Sequence, residues 1–75
     1  MNLSEIGNTI KKLRKEKNLT QDELAKMVNI SRPTLSKLEN GELGKVSIIT
    51  FISILRILGY DLEITPFNPF NNQIK

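Results

Sequence analysis

The chain has 75 residues, with eleven lysines and arginines, eight acidic residues and a net charge of +3. This length allows one small domain with a modest hydrophobic core. The sequence contains neither cysteine nor histidine, which excludes disulfides and sites with thiolate or imidazole metal ligands, and which removes the commonest general base. We therefore expect no enzyme, no cofactor and no metal. The mild positive charge suits a polyanionic partner.

Neither a signal peptide nor a membrane span is predicted. The first residues lack a basic segment followed by an apolar run. The longest apolar-rich stretch, residues 48–58, is too short to cross a bilayer and contains Arg56. We expect a cytoplasmic protein.

Apolar residues at helical spacing predict a first helix over residues 3–17. Its buried stripe consists of Leu3, Ile6, Ile10 and Leu13. Asn2 or Ser4 can cap this helix, since Asn2-x-x-Glu5 resembles a capping box, and Asn18 should end it. The remaining positions carry Lys11, Lys12, Lys15 and Lys17. These lysines form either a solvated face or, in part, a surface close to phosphates.

Two short helices joined by a tight turn are predicted over residues 20–41. Thr20 and Glu23 form a capping box at the start of the first helix, and Asn29 supplies the left-handed conformation that the turn needs. Ser31 caps the second helix and Gly41 ends it. Their buried positions are Leu24, Ala25, Val28, Leu35 and Leu38. This arrangement is typical of a helix-turn-helix, whose second helix lies in the major groove of DNA.

The same stretch resembles the Xre/HipB family of helix-turn-helix proteins, which includes phage repressors, Cro proteins and HipB-type antitoxins. The matching residues are Gln21, Glu23-Leu24-Ala25, Ser31, Leu35 and Leu38-Glu39-Asn40-Gly41. With the flanking helices, the resemblance covers roughly residues 3–65. It implies a mainly α, lambda-repressor-like domain of four to five helices that binds double-stranded DNA.

The resemblance assigns DNA contacts position by position. Base contacts are expected from Arg32, Pro33, Thr34 and Lys37, and phosphate contacts from Gln21, Ser36, Asn40 and Lys45. Arg32 can bond a guanine bidentately and Thr34 offers a hydroxyl and a methyl group. Pro33 departs from the polar residue common at this position and supplies no donor. A merely solvated charge at Arg32 or Lys37, and simple helix termination at Asn40, are the alternatives.

Arg14 and Glu39 are separated by 25 residues. The phage-repressor branch of the family pairs an arginine of the first helix with this glutamate at the same separation. The resemblance therefore implies a structural ion pair that orients the first helix against the DNA-contacting helix without touching bases.

The pattern of apolar residues in the C-terminal third of the domain predicts a dimer. Eight of the eleven residues at 48–58 are apolar, so a fourth helix, capped by Ser47 and ended by Gly59, should be covered by more than the chain's own core. Next, Tyr60, Leu62 and Ile64 alternate with polar residues, which predicts a half-buried strand without a partner in the chain. One two-fold dimer interface would both cover the apolar surface of the helix and pair the strand with the same strand of a second copy. We assign to it Ile54, Ile57, Leu58, Tyr60, Leu62 and Ile64, an arrangement that HipB-like proteins resemble.

We divide the chain into a DNA-binding and dimerisation domain, residues 1–65, and a flexible tail, residues 66–75. The aromatic residues of the tail, Phe67 and Phe70, either fold back on the dimer core or dock into a partner protein.

The resemblance implies a dimeric, sequence-specific repressor of the HipB antitoxin type. Such a protein binds palindromic operators, represses its own operon and holds a HipA-like kinase toxin inactive. A stand-alone phage or mobile-element repressor without a toxin partner is the first alternative. A helical protein-interaction scaffold is the alternative from a different class.

Overall fold

A computed structural model describes residues 2–68 and shows that the chain is mainly helical, as predicted. These residues form four α-helices and one 3₁₀ turn. The elements in chain order are α1 (Leu3–Glu16), α2 (Gln21–Met27), α3 (Arg32–Glu39), the 3₁₀ turn Leu43–Lys45 and α4 (Ile48–Ile57). Among these helices, none is long and apolar enough to span a membrane.

Each α-helix begins at a polar cap that the sequence predicts. In α1 and α2 the cap is a complete capping box, with backbone-to-side-chain hydrogen bonds of 2.8–3.0 Å in both directions. In α3 and α4 a serine hydroxyl accepts a hydrogen bond from the N–H three residues later. The four caps are Asn2, Thr20, Ser31 and Ser47.

All four helices end in a Schellman motif, in which the residue after the cap takes a left-handed conformation. These residues are Asn18 (φ 59°), Asn29 (φ 63°), Gly41 (φ 96°) and Gly59 (φ 95°). After α2, for example, Asn29 donates to the carbonyl of Lys26 at 3.2 Å and Ile30 donates to that of Ala25 at 3.0 Å. The turn between α2 and α3 is thereby fixed by its own backbone hydrogen bonds.

The core lies between α3 and the helices around it, because α3 contacts both α1 and α2. Its buried apolar residues are Ile10, Leu24, Ala25, Leu35, Leu38, Ile54 and Leu58. The predicted stripe of α1 is only partly correct. Ile10 is buried, and Ile6 and Leu13 are half-buried, but Leu3 is 56% exposed because it is the first residue of the helix.

A close contact between α1 and α3 depends on Gly7. A Cβ atom at Gly7 would lie 2.6 Å from the carbonyl oxygens of both Leu38 and Glu39. The backbone of α1 therefore crosses the last turn of α3 directly, and no larger residue fits without a shift of one helix. The sequence signal for this close contact is the glycine itself, because glycine inside a helix is unfavourable by about 1 kcal/mol relative to alanine.

The assignment of Ile54 and Leu58 to a dimer interface is wrong. Their side chains are 0% and 2% exposed in the single chain, because they lie one turn apart on the face of α4 that covers the core. Ile57 is half-buried. The exposed apolar residues of α4 are instead Ile48 and Ile49, at 60% and 74%.

The segment that follows α4 forms no strand, and none is present anywhere in residues 2–68. Tyr60, Leu62 and Ile64 are exposed in the single chain. A strand needs a hydrogen-bonded partner strand, and residues 2–68 of the single chain contain none. The start of the segment is held by Asp61, which accepts hydrogen bonds from the N–H of Leu62 at 2.8 Å and from Arg56 at 3.2 Å. Both interactions lower the pKa of the Asp61 carboxyl, with the backbone N–H as the larger cause.

Of the two aromatic residues of the tail, Phe67 is 72% exposed and does not fold back on the core of the single chain. Phe70 lies outside the described residues.

Candidate nucleic-acid interface

One face of α3 projects from the surface and carries residues of both its first and its last turn. Leu35 and Leu38 are completely buried and fix the rotation of the helix about its axis. Arg32, Pro33 and Lys37 are consequently exposed. Pro33 lies in the first turn, where its missing N–H costs no helical hydrogen bond.

Thr34 is less available for a base contact than the sequence indicates. It is half-buried, and its hydroxyl lies 2.8 Å from the hydroxyl of Ser31, the residue that caps α3. One of these two hydroxyls donates to the other. A hydroxyl oxygen has two acceptor positions, so Thr34 can still accept a hydrogen bond from a base without disturbing the cap.

The C-terminal end of α3 carries a second group of exposed polar residues. Asn40 caps the helix, with its N–H donating to the carbonyls of Ser36 and Lys37 at 3.1 and 3.0 Å, and its side chain is exposed. Ser36 is half-buried, and Lys45 is exposed on the 3₁₀ turn that contacts α3. The structure thus places Asn40 and Lys45 at the opposite end of α3 from Arg32, with Ser36 in the middle of the helix.

Arg14 and Glu39 form a buried ion pair. The Nε of Arg14 donates to Oε2 of Glu39 at 2.6 Å, and its Nη2 donates to Oε1 at 3.1 Å. The remaining nitrogen, Nη1, donates to the carbonyl of Leu19 at 2.7 Å. Arg14 is only 6% exposed and Glu39 only 2%. Since every nitrogen of the guanidinium has an acceptor, this pair connects α1 and the loop after it to the end of α3.

Gln21 belongs to the same network, which the sequence did not show. Its side-chain Nε2 donates to Oε1 of Glu39 at 3.0 Å. The amide predicted to contact phosphate is therefore held against Glu39, and the network fixes the start of α2 to the end of α3. The N–H groups of the first turn of α2 have no acceptor within the helix, so the backbone N–H of Gln21 is a second donor at this position, and Nε2 keeps one further hydrogen.

An open depression of about 650 Å³ lies between α1 and the starts of α2 and α3. Its charged lining residues are Lys11, Arg14, Lys15, Asp22 and Arg32. Arg14 is neutralised by Glu39, and Asp22 lies in the first turn of α2, where the helix dipole favours a negative charge. The excess of cations makes the depression electropositive.

Comparison with known proteins agrees with this geometry. Residues 10–64 match the sequence model of the Helix-turn-helix family. The chain therefore belongs to the helix-turn-helix family, and within it to the Xre type that the sequence resembles.

The relatives of this chain include an antitoxin and a phage protein. Antitoxin PezA of Streptococcus pneumoniae is 39% identical across 93% of this chain and 49% of the antitoxin. The ImmF control region 10 kDa protein of Bacillus phage phi105 is 42% identical across 79% of this chain and 64% of that protein. The chain thus spans between about half and two thirds of the length of these relatives.

Among solved structures, a chain of the HipA-HipB-O2-O3 complex superimposes with a TM-score of 0.71 and 28% identity. The match covers 91% of this chain and 94% of the chain in the complex.

Proposed function

We propose that the chain is a sequence-specific DNA-binding repressor that acts as a homodimer on a palindromic operator and as a HipB-like antitoxin. The observation that supports DNA binding most directly is α3 itself. Its apolar face is completely buried, its end is fixed by the Arg14–Glu39–Gln21 network, and Arg32 in its first turn and Lys37 in its last turn are exposed. A helix held in this way presents side chains to a major groove in one orientation.

In this proposal, base contacts come from Arg32, Pro33, Thr34 and Lys37. Phosphate contacts come from the backbone at Gln21, from Ser36 in the middle of α3, and from Asn40 and Lys45 at its C-terminal end. Phosphate contacts near both ends of the helix fix its register on the duplex, so that its exposed side chains can discriminate among bases.

Selection of binding sites from random duplexes tests the DNA-binding part. We expect an enriched site with two inverted half-sites whose centres lie one helical turn apart, about 34–36 Å, or a multiple of that distance. A single asymmetric half-site would contradict the dimer. A scaffold protein without DNA-binding function would not reach even the non-specific dissociation constants of about 10⁻⁴ to 10⁻⁶ M that are usual for DNA-binding proteins.

The exposed apolar residues support the homodimer. Ile48, Ile49, Tyr60, Leu62 and Ile64 are between 46% and 95% exposed in the single chain. We propose that they, together with the half-buried Ile57, replace Ile54 and Leu58 in the predicted interface. Residues 60–64 then pair with the same residues of a second copy, which supplies the partner strand that one chain lacks.

The antitoxin role rests on the relatives. A named antitoxin is similar over nearly the whole chain, and the HipA-HipB-O2-O3 complex contains a chain of almost the same extent and fold. By this analogy, the chain represses its own operon and holds a HipA-like kinase toxin inactive, with the tail, Phe67 and Phe70, as the segment that docks into the toxin.

Copurification tests the partner. The product of the gene adjacent to the one encoding this chain should copurify with the tagged full-length chain, and its kinase activity should fall when the two are mixed in equal amounts. A kinase that keeps full activity in the mixture would contradict the antitoxin role. The same measurement with Phe67→Ser tests the docking role of the tail, because Phe67 is 72% exposed and does not belong to the core.

A stand-alone phage or mobile-element repressor is the second candidate. It is favoured by the similarity to the phage phi105 protein, which has the higher identity of the two curated relatives described above. Repression by the chain alone, with no copurifying gene product, would favour this candidate over the antitoxin. Both candidates share the same use of α3.

A further inference from the structure

The residues assigned to DNA contacts lie between Gln21 and Lys45, and the sequence left open whether lysines of α1 form a solvated face or lie close to phosphates. The electropositive depression extends onto α1 and bears on that choice. Two of its lining residues, Lys11 and Lys15, belong to α1 and lie four positions apart on one helical face. Arg32, the first residue of α3, lines the same depression. The structure therefore brings two cations from outside the helix-turn-helix beside the start of the DNA-contacting helix.

None of these three cations forms an ion pair with another of the described residues. The ion pairs of residues 2–68 are Arg14–Glu39 and Arg56–Asp61, and neither includes Lys11, Lys15 or Arg32. Asp22 is the single carboxylate that lines the depression. Like charges four residues apart destabilise a helix, so the two lysines represent a local cost that the fold of this chain does not require.

We propose that Lys11 and Lys15 contact DNA phosphates and extend the binding surface from the helix-turn-helix onto α1. This inference rests on the proposed DNA binding and adds to it a second phosphate-contacting element. The ligand is the backbone of the duplex whose bases face α3, because the depression opens beside Arg32 and is bounded by the first turn of α2. The contacts are electrostatic, so they add affinity without adding base preference.

The dependence of binding on salt measures the number of these contacts. For B-DNA, the slope of log K against log salt concentration is about −0.9 for each phosphate contact. For binding of the full chain to a random-sequence duplex, the slope should therefore become less negative by about 0.9 in Lys11→Gln or in Lys15→Gln. In the double variant it should become less negative by about 1.8. Lys11→Arg and Lys15→Arg should keep the slope of the unmodified chain.

Lys17→Gln is the matched control. Lys17 follows α1 directly, is exposed and carries the same charge, but it lines a different groove, beside Gly59 at the end of α4. Its loss should leave the slope unchanged.

Two results would overturn the inference. A slope in the Lys11→Gln/Lys15→Gln double variant equal to that of Lys17→Gln, with normal binding by the unmodified chain, would overturn this inference alone. An unmodified chain that binds no duplex at all would overturn the proposed function together with it.

Discussion

The buried ion pair gives the sharpest test of how α3, the helix proposed to contact DNA, is held in place. In Glu39→Ala, Arg14, which is 6% exposed in the unmodified chain, keeps only the Leu19 carbonyl as an acceptor, and the amide of Gln21 loses its acceptor as well. Leaving a buried charge without its partner costs about 3–5 kcal/mol. A domain of this size has a total free energy of unfolding of about 4–11 kcal/mol, so the variant should lose a large part of its stability.

Urea unfolding followed by far-ultraviolet circular dichroism measures this loss. The control is Lys37→Ala, which is exposed on the same helix and should change the free energy of unfolding by no more than about 0.5 kcal/mol. In thermal unfolding, the melting temperature of Glu39→Ala should fall by at least about 12 °C. Equal melting temperatures for the two variants would refute the structural role of the pair.

A double variant separates the loss of the pair from the loss of one partner. Arg14→Met/Glu39→Met removes both buried charges and replaces them with apolar side chains, so it should be more stable than either single substitution. If the two single losses simply add in the double variant, then Arg14 and Glu39 stabilise the fold independently of each other.

Three further predictions follow from the packing and the proposed contacts. Gly7→Ala should destabilise the fold by about 1–3 kcal/mol through overpacking, although alanine is the better helix former, whereas Gly44→Ala, with nothing within 4 Å of the new Cβ, should be nearly neutral in urea unfolding. Arg32→Ala should cost about 1–3 kcal/mol of operator binding and relax base preference at one position per half-site; an unchanged site in binding-site selection would exclude it from the base-contacting residues. Leu62→Lys should dissociate the homodimer in size-exclusion chromatography with light scattering and abolish operator binding, while Thr65→Lys, which adds the same charge on the alternate face of the segment, should do neither; a Leu62→Lys variant that stays dimeric would contradict the proposed interface.

Local signals in the sequence predicted the helices well. The caps at Thr20, Ser31 and Ser47 and the left-handed residues Asn29 and Gly59 act over three or four residues, so they are recognisable without knowledge of the tertiary structure. The boundaries of the helix-turn-helix followed from them. The exposure of Arg32 and Lys37 followed in turn from the burial of the opposite face of the same helix.

Contacts between elements were harder to predict. In α4, a helix that is apolar on nearly every side, the pattern does not indicate which face covers the core, and Ile54 and Leu58 were therefore placed on the wrong side. The contact of Gly7 with α3 and the hydrogen bond from Gln21 to Glu39 depend on how helices distant in sequence cross each other. The predicted strand at residues 60–64 requires a second chain, which one sequence alone does not contain.

Sedimentation equilibrium of the full chain at micromolar concentration tests the homodimer, on which the palindromic operator depends. The account predicts a species with twice the 8.5 kDa mass of the chain. A stable species of 8.5 kDa at that concentration would contradict it.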